Sequence, residues 1–182
     1  MTKLCLFVFF SFGLAGLSWR FLRLRRTYGF YRFFAFECIL GLILLNADRW
    51  FTNPFSPAQI TSWLLLLSSG ALVLHGVHVL LKVGKPARTG RREEELAIEA
   101  TTTLVAVGAY RYIRHPLYAS LLCLGWGAFF KHVTFSSFFL AVTLSALMTA
   151  TAKVEEVENL LKFGASYAVY MKKTKMFVPF LV

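Results

Sequence analysis

The chain has 182 residues, 57% of them hydrophobic and only 16% charged, with a mean hydropathy of +0.60 and a formal net charge of +11. So apolar a composition excludes an ordinary soluble domain, in which roughly 45–50% of residues are apolar, and the abundance of aromatic residues excludes a disordered chain. An excess of Lys and Arg this large points either to nucleic acid or to an anionic membrane surface, so the placement of the charges decides.

Five apolar runs are candidates for crossing ~30 Å of hydrocarbon: residues 4–19, 33–45, 60–81, 117–130 and 133–152. The first has Lys3 before it and small residues over 13–18, as a signal peptide would, but Arg20, Arg23, Arg25 and Arg26 follow at once. Such a cluster resists translocation, so the run reads as a membrane helix. Within the second run Glu37 needs a partner, and Arg32 or another cytoplasmic Arg is expected to supply it, a cavity-lining role being the alternative. Residues 46–59 form a short, nearly neutral loop with Asn53-Pro54 and Ser56-Pro57 turn signals. His75 and His78 stand i, i+3 on the third run, but no carboxylate motif accompanies them and no metal site is expected. Only Lys131 and His132 separate the last two runs, which predicts a tight antiparallel helical hairpin. Cys5, Cys38 and Cys123 are far apart, each in an apolar run, and are expected to be buried free thiols.

With the N-terminus outside, 17 of the 20 basic residues fall in inner loops, and only Lys3, Arg49 and Lys131 lie outside. The positive-inside rule then gives five spans, N-terminus out and C-terminus in the cytoplasm, in a bacterial inner membrane or the endoplasmic reticulum. No basic helix stands apart from the apolar runs, so nucleic acid is not the expected partner.

Two polar stretches, 82–116 and 153–182, face the cytoplasm on this reading. In the second, Val157, Leu160, Leu161, Gly164, Ala168 and Met171 share one helical face. This is either an amphipathic helix lying at the interface, with residues 176–182 tucked into the headgroups, or a helix closing over a cytoplasmic cavity. The first stretch contains Lys85-Pro86-Ala87-Arg88-Thr89-Gly90-Arg91-Arg92 and Glu93 to Glu95, which reads as a solvated loop. It ends in Leu104-Val105-Ala106-Val107-Gly108-Ala109-Tyr110-Arg111-Tyr112-Ile113-Arg114-His115-Pro116-Leu117-Tyr118. Pro116 suits the first turn of a helix. Arg114, His115 and unpaired helix N–H groups then converge at a helix start, which makes either an anion or carboxylate site or a plain basic-aromatic anchor.

The pattern L-V-x-x-G-x-Y-R-Y-x-R-H-P-x-Y, followed by the hairpin, Glu155-Glu156, Phe163-Gly164-x-x-Tyr167-x-x-Tyr170 and Pro179, resembles the isoprenylcysteine carboxyl methyltransferase family. A wider group with a similar arrangement includes phospholipid N-methyltransferases. The resemblance covers residues 104–182; the first three runs agree only in topology. It implies one all-α integral-membrane methyltransferase domain over residues 1–182, with five transmembrane helices, a C-terminal helical hairpin and a cytoplasmic amphipathic C-terminal helix. The cofactor implied is S-adenosylmethionine, held without a Rossmann domain by residues within 82–182. Carried over by position, cofactor contacts fall on Thr102, Thr103, Leu104, Val105, Tyr110, His115, Pro116, Leu117, Tyr118 and Glu155. Where the family's carboxyl methyltransferases have an Arg for the substrate carboxylate, this chain has Thr151, with Lys153 half a turn on as another cation on a different face.

The implied reaction is methyl transfer to a lipid-like or prenylated acceptor drawn from among the membrane lipids. A carboxylate acceptor needs no base, and Arg114 or Lys153 would hold it while Glu155 or Glu156 balances the cofactor's charge. An amine acceptor needs one, and His115 or Glu156 are the candidates. Phospholipid amine methylation, a membrane reductase of related architecture and a non-catalytic membrane scaffold stand as alternatives.

Overall fold

The computed structural model describes residues 1–23, 27–85 and 101–179. The described residues are helical, without a strand: α1 (Thr2–Leu17), α2 (Trp19–Arg23), α3 (Tyr28–Leu45), α4 (Pro57–Val83), α5 (Pro116–Phe130), α6 (Phe135–Phe163) and α7 (Ala165–Lys173). Their starts are set by local chemistry. Thr27, Ser56 and Thr134 accept hydrogen bonds from the backbone N–H groups of Phe30, Gln59 and Ser137, and Pro57 and Pro116 open α4 and α5.

Three helices, α3, α4 and α6, are long and apolar enough to cross a membrane. The helices α1 and α5 have 16 and 15 residues, hence about 22–24 Å of rise. Large apolar side chains point outward, among them Leu64, Leu67 and Leu74 on α4 and Phe135 and Phe139 on α6, and α1 buries no residue. That distribution is costly in water and favourable in lipid.

The helices pack in pairs, α4 on α5 and α3 on α6, with α1 against α3. The seam of α3, α5 and α6 is made of small and aliphatic residues: Ala35 and Leu42 of α3, Ala128 of α5, and Ala141, Leu144, Met148 and Ala152 of α6 are fully buried. At the α5–α6 turn Lys131 is buried with its ammonium 3.5 Å from the Trp63 ring centroid, and it donates to Gln59 Oε1 across 3.0 Å. Asn46 and Ser62 donate to the carbonyls of Ala128 and Gly127 across 2.8 and 2.7 Å, stitching α3 and α4 to the end of α5.

Several expectations need correction. The last apolar run does not stop at residue 152: α6 continues unbroken to Phe163, so the span and the amphipathic segment share one helix. The break comes at Gly164, whose φ of 58° and ψ of −134° suit only glycine, and α7 follows it. Glu37 is met not by Arg32 but by Ser11 of α1, whose hydroxyl donates to Oε2 across 2.6 Å. Of the three free thiols only Cys38 is buried; Cys5 is exposed because α1 presents it outward. Arg88, Arg91, Arg92 and Glu93 to Glu95 lie outside the described residues.

Candidate functional site

The motif segment meets the ends of three helices. Gly108 has φ +61°, and a Cβ there would collide with His75. This close approach lets His75 Nε2 accept the Ala109 N–H across 3.1 Å, which starts a 3₁₀ turn over Gly108–Arg111. The C-terminal tail then runs parallel to the motif. Arg114 N donates to Lys175 O across 2.7 Å, Lys175 N to Tyr112 O across 3.0 Å, and His115 N to Met176 O across 3.1 Å. The tail through Met176 is therefore a backbone strap on the motif. Tyr170 of α7 donates to Tyr110 O across 2.6 Å and fixes the helix over the same place.

Arg114 is consumed by structure. Its Nε donates to Glu156 Oε1 across 2.5 Å, and Nη1 donates to the carbonyls of Thr174 and Met171 across 2.5 and 3.3 Å. His115 is 5% exposed, stacked on Tyr118 with ring centroids 5.3 Å apart and flanked by Phe177 at 6.2 Å. Its Nδ1 lies 3.6 Å from Glu155 Oε2 and its Nε2 3.4 Å from Glu156 Oε1. These are ion-pair distances without good alignment, and Nε2 has no hydrogen-bonded acceptor. Burial pushes the imidazole pKa down, but the contacts and charges of Glu155 and Glu156 outweigh it and raise the value to about 9. At neutral pH His115 is a cation. The convergence of Arg114 and His115 is thus answered internally by two carboxylates, and an external anion is not needed to balance it.

A cavity opens beside these groups. Eight residues expected at the site line it: Leu104, Val105, Tyr110, Arg114, His115, Leu117, Tyr118 and Glu155. Glu156 stands behind Arg114, outside the lining. Pro116 is buried as the first residue of α5, and Thr102 and Thr103 are exposed away from the lining, Thr102 donating to Lys85 O across 2.9 Å. Lys153 is exposed and does not line the cavity, because it points away from α6's inner face.

Leu80, Thr101, Asn159, Phe163, Tyr167 and Tyr170 complete the wall. Glu155, Asn159 and Phe163 follow one another at four-residue spacing on α6, a signal present in the sequence once the helix is known to be continuous. Burial pushes the Tyr167 and Tyr170 hydroxyls up, so both stay neutral hydrogen-bonding groups. The enclosed space is narrow, about 80 Å³. A ligand of nucleoside size has to displace rim side chains as it enters.

Among the described residues no cluster of His, Cys, Asp and Glu is arranged to hold a metal ion. Comparison of the chain with protein-family models, with curated proteins and with solved structures finds no match.

Proposed function

We propose that the protein is an integral-membrane methyltransferase that uses S-adenosylmethionine to methylate the carboxylate of a lipid-like or prenylated acceptor at the cytoplasmic face. The proposal takes α1, α3, α4, α5 and α6 as five spans, N-terminus outside, with α5 and α6 as a hairpin and α7 at the inner interface. The observation that carries it is the cavity itself. At the end of an apolar helix, Glu155 faces an aromatic wall beside the cationic His115, whose Nε2 has no hydrogen-bonded acceptor.

The residues present fit the cofactor chemically. Glu155 offers negative charge to a sulfonium or ammonium, Asn159 offers amide hydrogen bonds, and Phe163, Tyr167 and Tyr170 offer faces to a purine or a cation. When bound, the cofactor would supply an electrophilic methyl group to the acceptor's carboxylate oxygen, its sulfonium becoming a neutral thioether.

The chain's own residues position and shield. His115 balances Glu155 and Glu156, and Tyr118 and Phe177 keep the imidazole from turning. Arg114 fixes Glu156 and the strap, and does not hold the acceptor. No base is required, which suits a site whose histidine is already protonated and whose Glu156 is tied to Arg114. An apolar cavity of about 350 Å³, lined by Leu72, Ile113, Ala119, Leu122 and Phe177, adjoins the site behind Phe177 and offers room for an apolar chain.

The test is transfer of a radiolabelled methyl group from the cofactor into a membrane extract by the purified protein. A base-labile label, lost as methanol, is expected. A base-stable label would show amine methylation, and no label would remove the enzymatic reading.

A further inference from the structure

A second cavity, of about 650 Å³, lies between α1, α3 and α6 and shares no lining residue with the site above. Phe7, Phe34, Gly41, Leu140 and Leu147 make its wall apolar, and Glu37 is set into that wall. An ionisable group at the middle of a span is costly unless it is paired. Glu37 is only half provided for: Ser11 donates to Oε2 across 2.6 Å, while Oε1 is buried with no hydrogen-bond partner. Ser11 satisfies one oxygen and leaves the other an unpartnered acceptor just under the wall, which the soft last torsion of the Glu side chain can turn toward a ligand.

We propose that this groove binds a single-chain amphiphile whose polar end, an ammonium or a hydroxyl, donates a hydrogen bond to Glu37 Oε1 while its chain lies on the apolar wall. The occupant is set by complementarity. A saturated acyl chain fills the volume but leaves the oxygen unmet, and an anionic head finds no free partner, since Lys3 at the rim is taken up by Asp48 across 2.6 Å and by Leu45 O across 3.2 Å. The proposal rests on α3 and α6 crossing a membrane, and not on methyl transfer.

The test uses the full chain in lipid nanodiscs and three diazirine-bearing C12 probes ending in an amine, an alcohol or a methyl group, with labelled peptides mapped by mass spectrometry. In the wild type the amine and alcohol probes label α3 and α6 about tenfold more than the methyl-ended probe, the ratio expected of one buried hydrogen bond. Glu37→Gln keeps an acceptor but removes the charge, so the amine preference is lost and the alcohol preference stays. Gly41→Leu fills the groove, where a Cβ has only Leu140 and Phe7 side chains within 4 Å, and lowers labelling by all three probes. Equal labelling of the wild type by the three probes would show ordinary annular lipid and overturn the proposal, as would an amine preference that survives Glu37→Gln. Carbonate extraction separates the two premises, since a chain that leaves the membrane fraction contradicts the membrane reading instead.

Discussion

Arg114 Nε and Glu156 Oε1 are 2.5 Å apart, and both side chains are about nine-tenths buried. The pair joins the start of α5 to the end of α6, and the same guanidinium reaches the carbonyls of Thr174 and Met171. One residue therefore ties the motif, α6 and the C-terminal strap. Removing one partner of a buried pair costs about 3–5 kcal/mol, because the other charge is left unmet. Arg114→Ala is expected to lower the thermal midpoint sharply and to expose residues 174–177 to hydrogen exchange. Arg114→Lys is expected to recover little, since an ammonium cannot span a carboxylate and two carbonyls. A midpoint within a degree of wild type for Arg114→Ala would contradict the tie.

His115 supplies a pH dependence with a definite sign. Its folded pKa is raised from 6.5 to about 9, so the group binds its proton more tightly folded than unfolded. The contribution is fully present below about pH 6.5 and is lost as pH rises through about 9, and it is on the order of 3 kcal/mol. Thermal unfolding between pH 6 and 10 is expected to show this loss in the wild type and not in His115→Gln. A His115→Gln profile that falls as steeply as the wild type's would assign the dependence to other groups.

Much of the fold is legible in the sequence because a membrane helix is written in long, simple runs. All five apolar runs correspond to helices in the structure, each beginning within five residues of its expected start. The end of α6 was not legible, since nothing in Lys153 to Glu158 breaks a helix and the change from apolar to charged residues looks like an exit from lipid. The true break is Gly164, which the sequence offers as one residue of an amphipathic face and of the Phe163-Gly164 pattern but not as a helix end. At the site, residues adjacent in the motif were found together. Asn159 is not legible because its place depends on α6 being continuous, and Lys153, which the sequence already puts on a different helical face from Thr151, is exposed outside the lining. Glu37's partner was sought among cations, whereas a hydroxyl on a neighbouring helix meets it.

Gly164 sets the direction in which α7 folds back. No side chain crowds the position, so the penalty of a substitution is in the backbone alone. Gly164→Ala is expected to cost about 1–3 kcal/mol and to lengthen α6 at the expense of the turn, carrying Tyr167 and Tyr170 off the cavity wall. Cofactor affinity is expected to fall at least tenfold while the chain remains folded. Unchanged affinity would show that α7 is not part of the binding wall.

Tyr170 holds α7 through one bond, from its hydroxyl to Tyr110 O across 2.6 Å. Tyr170→Phe removes that bond, at a cost of about 0.5–1.5 kcal/mol. Hydrogen exchange of residues 108–112 is expected to speed up with little change elsewhere. No local change would mean that the strap alone fixes the 3₁₀ turn.

The most direct test is calorimetric titration of the detergent-purified protein with S-adenosylmethionine, beside Glu155→Gln and Lys153→Ala. Saturable binding is expected, weakened at least tenfold by Glu155→Gln, whose charge is lost from the cavity, and unchanged by Lys153→Ala, which lies outside it. No detectable heat with millimolar cofactor, or equal affinity in the wild type and Glu155→Gln, would contradict the assignment of this cavity as the cofactor site.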